Sequence, residues 1–346
     1  MDFALNDEQQ MLQESARRFF SERHPLSRAR QALPWTDDSQ RALWQDMAGM
    51  GWLGLLASDD QGGLGLGMGE AYLVAEAAGR QLLNLPLAAS TVLLPLLLQE
   101  STQQDGQLAS WVEEMATGRS AFNVGFGDTG HLDHAQQCSH QLLVHGLDLP
   151  EAEVRLALLP VDAIPAPIQV SAFDPTLRDA SLSVNSSSLD WQVLEISAQG
   201  RAYALAGYRL ARAAELLGAA AAALDLSCAY AKQREQFGKA IGSYQAIKHQ
   251  LANAWMALDN ARLAALYAAA ALDGRRADWP FACAAAELTA IEGAQQITRN
   301  CLQVHGGLGF TWEHDAHLYL KRVHHVSARL GGCEAAYGLI EETVCA

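Results

Sequence analysis

Apolar residues recur three and four positions apart at both ends of the chain, and this spacing gives way in the middle. Near the start, Leu12, Ala16 and Phe19 fall on one helical face. Asn6 followed by Gln9 matches a capping box, in which the Asn side chain accepts from first-turn amides. A second apolar stretch passes through Trp44, Met47 and Met50 and stops near Gly51. A glycine-rich loop follows at 61–67, and Glu70 to Leu83 again reads as helix. From about Phe122 to Ile196 prolines 150, 160, 165, 167 and 175 break any long helix. Short runs at 141–144, 154–159 and 180–184 predict strands.

Helices return from Arg201, and they are long. Leu205 to Glu235 contains no proline, and Tyr244 to Leu272 is rich in alanine and leucine. Asp278 is placed to cap a third helix that runs to about His305, where Gly306-Gly307 stops it, and a fourth starts near His314. The expected architecture is mainly α with a small central β domain. It divides into an N-terminal helical domain (1–120), a reduced β domain (121–197) and a C-terminal four-helix bundle (198–346).

Composition narrows the function. With 50 % hydrophobic and 18 % charged residues over 346 positions, the chain can bury a large core. A net charge of −15 repels nucleic acid and anionic lipid, so neither is an expected partner. The Leu85–Leu98 stretch holds two prolines and is too short to cross a bilayer, and the first residues carry no export signal. Six scattered cysteines with no CxxC pair read as reduced thiols, so a cytoplasmic location is expected. His131, His134, Cys138 and His140 lie close in sequence but match no standard zinc spacing; no metal site is expected there. Gly65-Leu66-Gly67-Met68-Gly69 follows no strand and reads as a turn between helices rather than a nucleotide loop.

Two segments carry the chemistry. One is Tyr230-Ala231-Lys232-Gln233-Arg234-Glu235-Gln236-Phe237-Gly238-Lys239-Ala240-Ile241, continuing through Tyr244-Gln245-Ala246-Ile247-Lys248. The other is Gln303-Val304-His305-Gly306-Gly307-Leu308-Gly309-Phe310-Thr311. Spacing alone also allows a helix-end arginine, a core phenylalanine and a C-cap glycine pair. In sequence, order and separation, however, both segments resemble the acyl-CoA dehydrogenase family. A weaker match is Gly51-Trp52-Leu53-Gly54-Leu55 with Gly62-Gly63-Leu64-Gly65. The resemblance covers residues 1 to about 120 and about 200 to 330 and implies an acyl-CoA dehydrogenase-like fold.

The resemblance implies FAD as cofactor, with Arg234, Phe237, Gln245, Gln303, Gly306 and Gly307 binding it, typically the FAD of a neighbouring subunit. A guanidinium fork suits a pyrophosphate, and glycines allow close backbone approach. Family chemistry is α,β-desaturation of an acyl-CoA thioester, in which a carboxylate removes the α-proton and flavin accepts hydride. The family places that carboxylate in one of two positions. Counting back from Arg234, the first is Tyr208, a phenol, whose neighbour Arg209 matches an arginine lining the acyl-CoA pocket. The second falls on Leu330, and Glu334 serves only with about four extra residues there. The stretch 126–131 departs from the family loop that cradles the isoalloxazine ring.

Retained neighbour-facing residues with a missing base resemble the shorter subunit of heteromeric (α2β2) acyl-CoA dehydrogenases of bacterial steroid side-chain degradation. The run Gly309 to Tyr319 is similar to theirs. The implied partners are an acyl-CoA, a longer homologous subunit and an electron-transfer flavoprotein as acceptor. Two alternatives stand beside this: a self-sufficient homo-oligomer using Glu334, and a non-enzymatic acyl-CoA- or partner-binding scaffold.

Overall fold

In the computed structural model the proline-free apolar stretches fold as helices, and the proline-rich middle folds as sheet. Residues 4–102, 106–126, 129–149, 152–160, 173–183 and 189–345 are described. The chain forms two compact units: Met1–Leu26 with Tyr72–Leu83 and Arg209–Ala346, and Ser27–Ala71 with Asn84–Tyr208.

The first unit is helical. Helix α1 (Asp7–Arg23) opens on the expected capping box: Asn6 accepts from the Gln9 amide at 2.8 Å, and Gln9 accepts from the Asn6 amide at 3.3 Å. Helix α4 (Met68–Arg80) contributes its later turns to this unit. Helix α7 (Ala198–Gln233) begins in the second unit and continues here. It is followed by a hairpin, β7 (Glu235–Gln236) and β8 (Lys239–Ala240), then by α8 (Gln245–Asp273), α9 (Trp279–His305), α10 (Ala316–Arg329) and α11 (Gly332–Cys345). Helix α11 is a separate fifth helix where four were expected. It restarts after Gly331 and Gly332, both in the left-handed region at φ 85° and 69°. Asp278 does not cap α9 with its side chain; its carboxylate instead takes Tyr267 Oη and Arg276 Nε.

Helices α4 and α7 cross at backbone contact. A Cβ on Gly79 would lie 2.2 Å from the Glu215 carbonyl oxygen, and one on Gly218 would lie 2.0 Å from that of Glu76. Only glycine permits this approach. Around the crossing, Glu76 is buried and pairs with Arg262 and with Arg17 (3.7 Å), while Arg80 pairs with Asp225. Arg322 of α10 donates to the Leu83 carbonyl at 2.9 Å, in the turn that follows α4. By length and composition α7 could span a membrane, but 67 % of that stretch is buried within the protein, as in a core helix.

The second unit holds α2 (Leu26–Ala29), α3 (Asp38–Gly49), α5 (Leu94–Glu100) and α6 (Gly106–Ala116) beside a four-stranded sheet. The sheet runs β1 (Phe122–Phe126), β3 (His140–His145), β4 (Val154–Pro160), β6 (Gln192–Leu194). Its β1–β3 pair is parallel and the others antiparallel. A separate pair joins β2 (Thr129–Leu132) to β5 (Ala180–Ser183). Trp44, fully buried, donates Nε1 to the Ser120 carbonyl at 3.1 Å, and Ser90 bridges both main-chain groups of Phe122. The glycine-rich loop folds back on Gly54–Ala57 through the amides of Leu64, Gly65 and Leu66. It is a backbone-paired turn, as expected.

Candidate functional site

The Arg234–Lys239 segment makes a two-residue hairpin. Gln236 pairs with Lys239, and the loop residues Phe237 and Gly238 are both left-handed at φ 54° and 81°. That backbone thrusts the Phe237 ring outward, 93 % exposed, so the alternative reading of a core phenylalanine is ruled out. The hairpin is braced at its base: Tyr244 Oη donates to the Gln236 carbonyl at 3.0 Å, and Lys239 Nζ sits 4.3 Å from the Tyr244 ring centroid. Gln245 then opens α8. Arg234, Gln245, Gln303, Gly306 and Gly307 are all exposed.

A ring stack joins this edge to the end of α9. Tyr230 in the last turns of α7 lies 4.4 Å from His305, the last residue of α9, and His305 lies 4.4 Å from His314. Its hydrogen bonds identify the tautomers. Nδ1 of His305 bonds the Cys301 carbonyl at 2.7 Å and so carries the proton, whereas Nδ1 of His314 accepts from the Ala316 amide at 3.2 Å. Burial holds the His305 imidazole below its usual range; the Cys301 carbonyl opposes this and His314 reinforces it. Beyond the stack, Phe310 and Trp312 are 70 % and 65 % exposed. One edge of the unit thus presents an arginine, two glutamines, open glycine backbone and exposed aromatic rings, of which Trp312 also meets His317 and Lys321. A guanidinium and glutamine amides can bind an anionic, hydrogen-bonding ligand, and exposed rings suit another surface.

Elsewhere in this unit Arg209 is engaged internally. Its Nε donates to Glu287 at 2.6 Å, a second bond completes a fork to the same carboxylate, and the guanidinium also donates to the Leu330 carbonyl at 2.8 Å. Glu287 is 2 % exposed. Burial pushes its carboxyl up against the downward pull of Arg209. The fork occupies both carboxylate oxygens, so neither faces a ligand. The sequence reading missed Glu287, although a single acid amid Ala284, Ala286, Ala290 and Ile291 on a buried helix face marked it. Glu334 lies in the first turn of α11 and is exposed.

In the second unit Tyr208 meets Phe126 at the end of β1, with ring centroids 5.8 Å apart. Gly127 and Asp128 of the departing stretch lie outside the described residues, as do the side chains of residues 129–131. Cys138 accepts from Gln141 Nε2 at 3.0 Å, and full burial pushes its thiol well up, which keeps it neutral; His140 stacks on Phe122.

An N-terminal helical region, a small sheet and a C-terminal bundle with an exposed arginine–glutamine–glycine edge define the class of acyl-CoA dehydrogenase-like proteins. The chain belongs to the acyl-CoA dehydrogenase family: its N-terminal domain model matches residues 6–119 and its C-terminal domain model residues 201–342. The chain is 33 % identical to acyl-CoA dehydrogenase FadE34 of Mycobacterium tuberculosis over 85 % of its own length, and spans 41 % of that protein. It is 29 % identical to acyl-CoA dehydrogenase IpdE2 of the same species, covering 92 % of this chain and 91 % of that one. Its fold matches one chain of the crystal structure of the ChsE4–ChsE5 complex of M. tuberculosis, with a TM-score of 0.82, 21 % identity and coverage of 100 % of this chain and 99 % of that one.

Proposed function

We propose that this chain is a subunit of a heteromeric FAD-dependent acyl-CoA dehydrogenase that completes the FAD site of a longer partner subunit and carries no catalytic base of its own. One contrast supports the reading. The residues matched to a neighbour's cofactor are exposed, whereas tyrosine and leucine stand at the two base positions and the buried Glu287 is locked in a fork with Arg209.

In this reading Arg234 pairs pyrophosphate oxygens, Gln245 and Gln303 bind polar atoms toward the adenosine end, and Phe237 packs on the partner's surface. Gly306 and Gly307 admit close backbone approach. Bound FAD supplies the hydride acceptor. The partner's carboxylate removes the α-proton of the acyl-CoA. Arg209, though matched to a pocket arginine, serves here to hold the Leu330 turn. Steroid-derived acyl groups fit the heteromeric resemblance, the ChsE4–ChsE5 likeness supports a second subunit, and an electron-transfer flavoprotein is the expected acceptor.

The test is expression alone and with a longer homologue bearing Glu at the position of Tyr208. The lone chain is expected to be colourless and inactive, and the co-expressed assembly yellow and active. Glu334→Gln in that assembly is expected to leave turnover unchanged. Robust desaturation by the pure chain with stoichiometric FAD defeats the proposal, and a colourless assembly favours a binding scaffold.

A further inference from the structure

Two positions concern a chain's own reacting centre in the resemblance: Tyr208, where the base stands, and the stretch starting at Phe126, where the flavin ring is cradled. Here both carry aromatic rings in the same compact unit, and the rings touch at 5.8 Å between centroids with a 60° tilt. That is within the range where aromatic pairs attract. Neither ring is on a loop. Phe126 ends β1, in register with Val144 of β3. Tyr208 follows Gly207, whose added Cβ would lie 2.4 Å from Leu96 Cδ1, and Leu96 is itself buried. Helix α7 is therefore seated tightly just before Tyr208. Phe126 remains 38 % exposed, so the pair stands at an open face rather than within a core.

A flat ring inserted between two others needs about 7 Å, twice the ~3.5 Å carbon contact distance. The tilted pair leaves less. We infer that Phe126 and Tyr208 form an aromatic plug that denies this subunit's own centre to a flavin ring, so that these two residues determine which subunit of the assembly holds FAD. The inference rests on the helper-subunit reading and adds to it a cause: the absence of a flavin here is enforced by filled volume as well as by lost ligands. A pair that served only packing would weaken the fold when removed and would admit no new ligand.

The experiment uses the purified co-expressed assembly, with FAD already in the partner's site. FAD per chain is read by absorbance, and lumiflavin is titrated by fluorescence quenching. The native assembly is expected to hold one FAD per two chains. F126A/Y208A is expected to bind lumiflavin at least tenfold more tightly than native, Phe126→Ser to show part of that gain, and Tyr208→Phe, which keeps both rings, to match native. No gain in a double variant of native assembly mass overturns the plug; should that variant not assemble, Phe126→Ser decides by the same criterion. One FAD per chain in the native assembly overturns the plug and the helper-subunit reading together, whereas half occupancy without a lumiflavin gain overturns the plug alone.

Discussion

The edge built by the 234–245 hairpin and the end of α9 differs from the Arg209–Glu287–Leu330 cluster of the same unit in where its interactions go. The cluster is closed. Its guanidinium and carboxylate satisfy each other, and the spare donor is spent on a main-chain carbonyl. The edge is open: Arg234 and Gln303 are exposed, and Phe237 holds an unfavourable left-handed backbone to display a ring to water. Chemistry that is satisfied within the chain belongs to the fold. Chemistry held outward at a conformational cost is, in the proposed assembly, what the partner subunit meets.

The largest expected effect tests the closed side. Glu287→Ala leaves a guanidinium without its counter-charge, and losing one member of a buried pair costs about 3–5 kcal/mol. Urea unfolding of the lone chain should show that loss, and Glu287→Gln, which keeps a hydrogen-bond acceptor, should lose less. A change under about 0.5 kcal/mol would mean that Arg209 finds water instead and that the cluster is not closed. On the open side the pattern should invert. Arg234→Ala should leave the lone chain's unfolding within about 0.5 kcal/mol of native. In the assembly it should weaken FAD retention by about 1.5–3 kcal/mol, roughly 10–150-fold, the scale of a charge-assisted bond. Flavin absorbance after dialysis reads this directly.

Much of the fold was legible because it is written in local spacing. Helices expected over 205–235, 244–272 and 278–305 are found at Ala198–Gln233, Gln245–Asp273 and Trp279–His305. Strands expected at 141–144 and 154–159 are β3 and β4. What escaped depends on distant partners or on special backbone. Arg209 and Glu287 are 78 positions apart, and nothing near either announces the other. Strand β1, Phe122–Phe126, shows no alternation because four of its five residues are buried. The Phe237–Gly238 turn reads as apolar sequence until two left-handed residues point the ring outward. Helix α11 restarts through Gly331-Gly332, a pair that looks like a stop.

Acid should act on the ring stack between the two halves of the open edge. The folded-state pKa of His305 is depressed by burial, so on acidification the unfolded chain takes up its proton first. The stability held above about pH 6.5, the unfolded value for histidine, is lost progressively as pH falls toward the folded one. His140 and His324, also depressed by burial, act in the same direction. Melting temperature should therefore fall between pH 7.5 and 5.5. His305→Phe should flatten that slope without abolishing it; an unaltered slope would show that the stack does not couple to pH.

The smallest expected effect separates fold from function most sharply, because its two readouts move in opposite directions. Phe237 sits at φ 54° with its ring 93 % exposed, so within this chain the side chain contributes little packing while its Cβ strains the turn. Left-handed backbone costs an ordinary residue about 1–2 kcal/mol, and asparagine tolerates it far better. Phe237→Asn should then stabilise the lone chain by about 0.5–1 kcal/mol, seen as a small rise in melting temperature. The same change removes an exposed aromatic anchor, and the assembly should lose at least 1 kcal/mol of subunit affinity in sedimentation at low concentration. A fall in both readouts would make Phe237 a structural residue of the hairpin, and a rise in both would leave the ring with no partner to serve.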